Sequence, residues 1–128
     1  GDGHLNFGQL PGAGGSQRLP RAVGLLRAKH LMLTGDLLTA EEAERIGLVG
    51  AVADDLEAGV AALVEKVAQK SRVGVRGAKH LANLTLTHGL EAGLRAEMAY
   101  VHNYATTEPD AVEGLVAFRE KRRPAFQS

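Results

Sequence analysis

Residues Phe7 to Leu19 read FGQLPGAGGSQRL, a tight glycine turn that runs straight into a helix. Glycines let backbone amides approach a ligand with no Cβ in the way, and they accept a positive φ at little cost. A helix start leaves unpaired N–H groups with a partial positive charge. The two together can hold an oxygen of a carbonyl, a phosphate or a polarised water; by spacing alone such a turn can equally be a plain connection. Other chemistries find no footing. No Gly-x-x-x-x-Gly-Lys pattern or dinucleotide fingerprint is present, and no serine sits in a nucleophile elbow. His30, His80, His88 and His102 fall on helices or their edges without a metal-ligating partner four residues away, and read as structural or solvent-facing. Glu41 and Glu42 open a helix, where carboxylates are favoured anyway.

The elements that must position this turn are nearly all helical. Leu5 to Gly8 reads as a short strand or extended segment. A first helix starts near Gly14 or Gly15 and reaches the Pro20 region, and a second covers Leu25 to Leu33. Thr39 with Glu42 forms a capping box for a short helix that stops at Gly47, and Val49 to Ala53 reads as a brief extended piece. Asp54 with Glu57 caps the next helix, whose residues Leu56, Val60, Leu63, Val64 and Val67 share one face. Another helix spans Val73 to Leu84. Leu90, Leu94, Met98, Val101 and Ala105 form a stripe on a long helix after Thr87. Asp110 with Glu113 opens the last helix behind Pro109. Lys121, Arg122 and Arg123 close it, favourably for its dipole, and Pro124 ends it. These stripes have little sheet to cover, so they pack on each other or await a partner.

Composition narrows the function further. The 128 residues make one domain or less, with 45% hydrophobic residues, 4% aromatic residues and no Trp, so the apolar content is small pieces. Fifteen Lys and Arg balance fifteen Asp and Glu, which argues against nucleic-acid binding. The absence of Cys excludes disulfides and thiol chemistry, and is compatible with an intracellular, cytoplasmic location. No apolar run is long enough to span a bilayer, so a membrane partner is not expected. The start at Gly1 fits a fragment or a processed chain.

The order PGAGGSQRL, then LTGD at Leu33–Asp36, then AEEAERIGLV at Ala40–Val49 resembles the enoyl-CoA hydratase/isomerase (crotonase) family. The resemblance covers essentially the whole chain, ending in Ala117 to Arg122. It implies a mainly α chain with short extended segments, the C-terminal part of a crotonase-like ββα spiral together with its trimerisation helices. Residues 1–53 would be the end of the spiral core with the glycine turn, and 54–128 a helical region for oligomerisation and CoA contact. The front portion, which in the family carries both oxyanion loops and one of two glutamates, would be absent from this chain. The resemblance further implies a homo-oligomer (trimer or hexamer), an acyl-CoA substrate and no separate cofactor or metal. The reaction would be water addition or elimination, or a double-bond shift, at the thioester. Such chemistry needs N–H donors for an enolate and a side chain that moves a proton.

Residue by residue, the family's second glutamate falls on His4, a departure from its pattern. A histidine can do acid/base work near neutral pH, or it can mark a different reaction; Asp2, two positions away, is a weaker candidate for the same role. Gly12 matches the glycine whose N–H helps hold the catalytic water, while Gly8, Pro11, Gly14 and Gly15 shape the turn. Lys121 matches a lysine that reaches the adenosine phosphates of a CoA on a neighbouring subunit, a task Arg122 and Arg123 could share. Tyr100 and Phe118 match positions lining the acyl pocket, although helical spacing alone reads both as core. The alternative function, on the same residues, is a non-catalytic helical module that oligomerises or binds CoA.

Overall fold

Glycine and proline punctuate the chain into seven α-helices behind a single 3-10 turn, His4–Phe7, and no strand forms; the computed structural model describes residues 1–128. No helix is long and apolar enough to cross a membrane. The chain divides into two units, Gly1–Gly59 and Val60–Ser128.

The first unit holds α1 (Gly15–Val23), α2 (Leu25–Thr34) and α3 (Ala40–Arg45). α1 packs on α2, and α2 on the 3-10 turn. Their core is small: Val23, Ala28, Leu31 and Ala43 are buried. Taking a leucine such as Leu31 out of water contributes about 1.5–3 kcal/mol. α1 runs through Pro20 to Val23, beyond the expected stop, although an interior proline forgoes its own N–H bond and crowds the carbonyl four residues back. α3 has the expected capping box: Thr39 Oγ1 accepts from the Glu42 N–H at 3.2 Å, and Glu42 Oε2 accepts from the Thr39 N–H at 3.0 Å. It ends in a Schellman motif around Gly47 (φ 77°), with the Leu48 N–H donating to the Ala43 carbonyl at 2.8 Å.

Two local expectations differ from the structure here. Leu5 to Gly8 is not extended. The Asn6 N–H donates to the Gly3 carbonyl and the Gly8 N–H to the Leu5 carbonyl, each at 3.1 Å, and a left-handed Gly8 (φ 67°) closes the turn. With no neighbouring strand to pair with, four residues between glycines satisfy their amides locally. Val49 to Ala53 likewise forms no strand.

α4 (Leu56–Ala68) begins with a different cap from the one expected. Asp55, not Asp54, takes the Ala58 N–H, at 3.1 Å, because only it stands three residues ahead of that amide.

The second unit also holds α5 (Arg72–Leu84), α6 (Leu90–Thr107) and α7 (Pro109–Arg119), with α5 against α6 and α6 against α7. Ser71 caps α5 by accepting from the Gly74 N–H at 3.0 Å. Asp110 and Glu113 do not form a cap for α7, which starts on Glu108 without a side-chain bond. Both carboxylates instead hold the chain that follows the helix. Asp110, 3% exposed, accepts from the Gln127 N–H at 2.8 Å and from the Ser128 hydroxyl. These bonds, the Ser128 hydroxyl first, hold its carboxyl below the usual aspartate range. Glu113 faces the Arg122 guanidinium at 2.7 and 3.0 Å and takes the Ala125 N–H at 2.6 Å.

Arg122, and then the Ala125 amide, depress the Glu113 carboxyl from 4.5 to about 2. A carboxyl that is more acidic in the folded state stabilises it above the unfolded value and stops doing so as pH falls through the folded one. A Glu113→Gln chain should therefore melt below the native chain at pH 7. The gap in Tm should shrink between pH 4.5 and about 2. Thermal melts by circular dichroism at four or five pH values check this, and a gap that persists at pH 2 counts against the pairing.

Candidate active site

The glycine turn takes its shape from two consecutive left-handed residues. Ala13 (φ 50°) and Gly14 (φ 84°) stand between Gly12 and Gly15, and the Gly15 N–H donates to the Gly12 carbonyl at 2.8 Å. Positive φ at both central positions is the signature of a type I′ turn. Glycine accepts it freely, whereas Ala13 holds it at a cost of about 1–2 kcal/mol. The N–H groups of Gly12, Ala13 and Gly14 make no hydrogen bond within the chain, and α1 begins at the next residue. Three free amides therefore lead into a helix start, a set of donors for an oxygen.

His4 lies on the 3-10 turn that leads into this bend. Its ring is 47% exposed, and Nδ1 stands 2.7 Å from Asp2 Oδ1. The same oxygen accepts from the His4 N–H at 3.3 Å. Asp2 is 8% exposed, and the His4 side chain is the main reason its carboxyl stays below the usual aspartate range. The structure thus joins the two acid/base candidates in one pair instead of leaving a choice between them. The sequence offers the two as alternatives, and the pair forms only because Gly3 leads into the 3-10 turn at His4.

The LTGD motif seats this segment. Gly35 ends α2 in the left-handed conformation (φ 69°), and Asn6 Nδ2 donates to its carbonyl at 3.3 Å. A Cβ on Gly35 would run into the Asn6 amide, and one on Gly1 into the Asp36 carbonyl. Residues 1–6 are therefore held against the end of α2 by contacts that need glycine. Asn6 carries no signal of this role in the sequence.

The remaining candidates belong to the second unit. Tyr100 lies on α6 over Gly77 of α5, where a Cβ would come within 2.8 Å of Tyr100 Cε1, and its ring centroid is 5.5 Å from that of His80. Tyr100 also lines a cavity of about 230 Å³ with Gly74, Leu81 and Tyr104. Phe118 is 84% exposed on α7, so the core reading from helical spacing does not hold for it in this chain. Lys121 follows the last turn of α7 with φ 55°. The Arg122 N–H donates to the Ala117 carbonyl at 3.1 Å and the Lys121 N–H to the Phe118 carbonyl at 3.2 Å. That is a Schellman motif with lysine where glycine is usual. Arg122 is committed to Glu113 and, at 2.7 Å, Glu120, which leaves Arg119, Lys121 and Arg123 as the cations of this end without an acidic partner. Among the other histidines, His30 stands 3.4 Å from Asp36, His88 bonds Thr87 Oγ1 at 2.9 Å, and no three-ligand cluster for a metal forms.

Residues 1–128 match the family described as enoyl-CoA hydratase/isomerase. A relative from Mycobacterium leprae, named "Probable enoyl-CoA hydratase", is 44% identical over 128 residues, covering 98% of this chain and 49% of the relative. A mitochondrial one of the same name from Dictyostelium discoideum is 39% identical over 130 residues, covering all of this chain and 47% of its own length. The crystal structure of an enoyl-CoA hydratase from Bacillus anthracis superposes with a TM-score of 0.87 at 37% identity, over 98% of this chain and 49% of that one. The chain thus spans about half the length of the curated relatives it matches.

Gly35→Ala should destabilise the chain by about 2–3 kcal/mol. Left-handed alanine costs about 1–2 kcal/mol, and the lost Asn6 hydrogen bond about 1 more. Asn6→Ala should lose only the second part. Urea unfolding measures both, and hydrogen exchange should show the amides of residues 6–9 opening faster in the Gly35 variant. Unchanged exchange there would mean that Gly35 does not seat the His4 segment.

Proposed function

The chain belongs to the enoyl-CoA hydratase/isomerase family, and on that footing we propose that it forms part of an acyl-CoA enzyme that adds or removes water, or shifts a double bond, beside a thioester. The observation that carries this reading is the run of free amides at Gly12, Ala13 and Gly14 ahead of α1, in the same unit as the half-exposed His4 imidazole. Amide donors can fix a water or a substrate oxygen, and His4 can take or give the proton. In this reading Gly12 holds the water and His4 occupies the acid/base position. Tyr100 and Phe118 contribute to an acyl pocket. The Lys121 ammonium meets the adenosine phosphates of a CoA bound to a neighbouring subunit. CoA enters as part of the substrate, with no separate cofactor. Residues 1–53 contribute to the reacting centre and 54–128 to assembly as a homo-oligomer and to CoA contact. The donors for the enolate oxygen come from polypeptide outside these 128 residues.

One observation favours a second reading, a helical assembly module without catalysis. Neither α4 nor α6 buries a single residue within the chain. Leu56, Val60, Leu63, Val64 and Val67 are between 45% and 70% exposed. Faces of this size mark an interaction surface.

A hydratase assay with a short 2-enoyl-CoA separates the two. The chain is tested alone and mixed with the N-terminal half of an enoyl-CoA hydratase. Activity that appears with the mixture is the expected result, and it should vanish with His4→Gln. Silence in both arms favours the module.

Lys121 offers an independent check. Lys121→Gly relieves the left-handed strain and should raise stability by about 1 kcal/mol, seen as a higher urea midpoint. It should also weaken binding of a CoA thioester by calorimetry. Lys121→Ala should weaken binding without the gain in stability. If both variants bind as the native chain does, Lys121 has no part in holding CoA.

A further inference from the structure

Asp2 is an acidic side chain with almost no access to water, a costly position unless each oxygen is satisfied. Oδ1 faces His4 twice, through Nδ1 at 2.7 Å and the backbone N–H at 3.3 Å. Oδ2 lies over the first residue of α1, where a Cβ on Gly15 would stand 3.1 Å from it. Glycine at that position lets the carboxylate come close to the positive end of the helix. With two hydrogen bonds on Oδ1 and the start of α1 near Oδ2, the carboxylate is ionised at neutral pH and can only accept. The imidazole nitrogen against it must then be the donor. In neutral His4 the lone pair is left on Nε2, which makes no hydrogen bond within the chain.

We infer that Asp2 is a positioning residue that fixes His4 as the Nδ1–H tautomer, so that Nε2 is the nitrogen left free to act as the base. When Nε2 takes a proton from a water, the O–H electron pair stays on oxygen. The Nδ1–H remains on Asp2, and the carboxylate faces the new imidazolium charge. An aspartate in this place both selects the nitrogen that reacts and stabilises the cation that results. What Nε2 acts on rests on the acyl-CoA reading; the pairing itself does not.

The test uses the whole chain labelled with ¹⁵N at histidine, with His4→Gln to assign the His4 signals among the five histidines. Imidazole ¹H–¹⁵N correlations should show His4 as Nδ1–H in the native chain and reverted to the Nε2–H form in Asp2→Ala. Asp2→Asn, which preserves volume, guards against a simple failure to fold. Carbethoxylation of His4 by diethyl pyrocarbonate, followed by peptide mass spectrometry, reads the reactivity of Nε2. It should slow roughly tenfold in both variants, because the carboxylate that keeps the lone pair on Nε2 is gone. A merely loosened fold would expose the ring and speed the reaction. An Nε2–H tautomer in the native chain, or modification as fast or faster in the variants, overturns the inference. Neither readout involves a thioester, so a silent hydratase assay would count against the substrate reading and leave this result standing.

Discussion

The close approach of residues 1–6 to the Gly35–Asp36 turn is the contact on which the candidate site depends. Gly35 is left-handed, with the Asn6 amide where a side chain would be, and Gly1 lies equally close to the Asp36 carbonyl. A four-residue 3-10 turn has too few internal bonds to hold a histidine in place by itself. Asn6 within the turn and Gly1 ahead of it lie against the end of α2, and Asp2 and His4 fall between these two contacts. Gly15 completes the arrangement from the other side, by admitting the Asp2 carboxylate to the start of α1. Three sequence motifs that look independent, the glycine turn, LTGD and the residues ahead of both, therefore describe one packed object.

Two Schellman motifs in the chain differ in the strain they carry. At Gly47 the left-handed position is filled by the residue that tolerates it, and α3 ends without strain. At Lys121 the same hydrogen bonds form around a side chain that does not favour that conformation. Backbone strain of this kind persists when the surroundings over-determine it. Here the surroundings are the Asp110 and Glu113 carboxylates, which hold the chain on both sides of Pro124. The strain at Ala13 follows the same pattern, with the free amides of the glycine turn beside it.

Helix positions and the motif order were legible because each has a local cause. Thr39 and Glu42 cap α3 within three residues, and the stripes on α4 and α6 repeat at helical spacing. What stayed hidden depends on contacts distant in sequence or on competition between neighbours. Whether Asp54 or Asp55 caps α4 turns on one residue of register. Asp110 and Glu113 have the spacing of a cap but are claimed by residues 122–128. His4 was legible as a candidate through the family pattern. Its pairing with Asp2 was not, because it needs the 3-10 turn that the short apolar run had suggested was extended.

The apolar faces bear on both readings of the function. Each large side chain left in water forgoes about 1.5–3 kcal/mol of burial, and α4 alone shows five of them. A domain is stable by only about 5–15 kcal/mol, so leaving such faces wet is a substantial fraction of that margin. The cores that do form are built from small residues, with Ala28 and Ala117 the most deeply buried, and cannot offset the loss. In both readings other polypeptide would cover these stripes. Assembly is common to the enzyme and the module, and what separates them is the first unit. What the first unit adds to these faces is a buried aspartate that leaves one imidazole nitrogen without a partner, and three unpaired amides in the glycine turn.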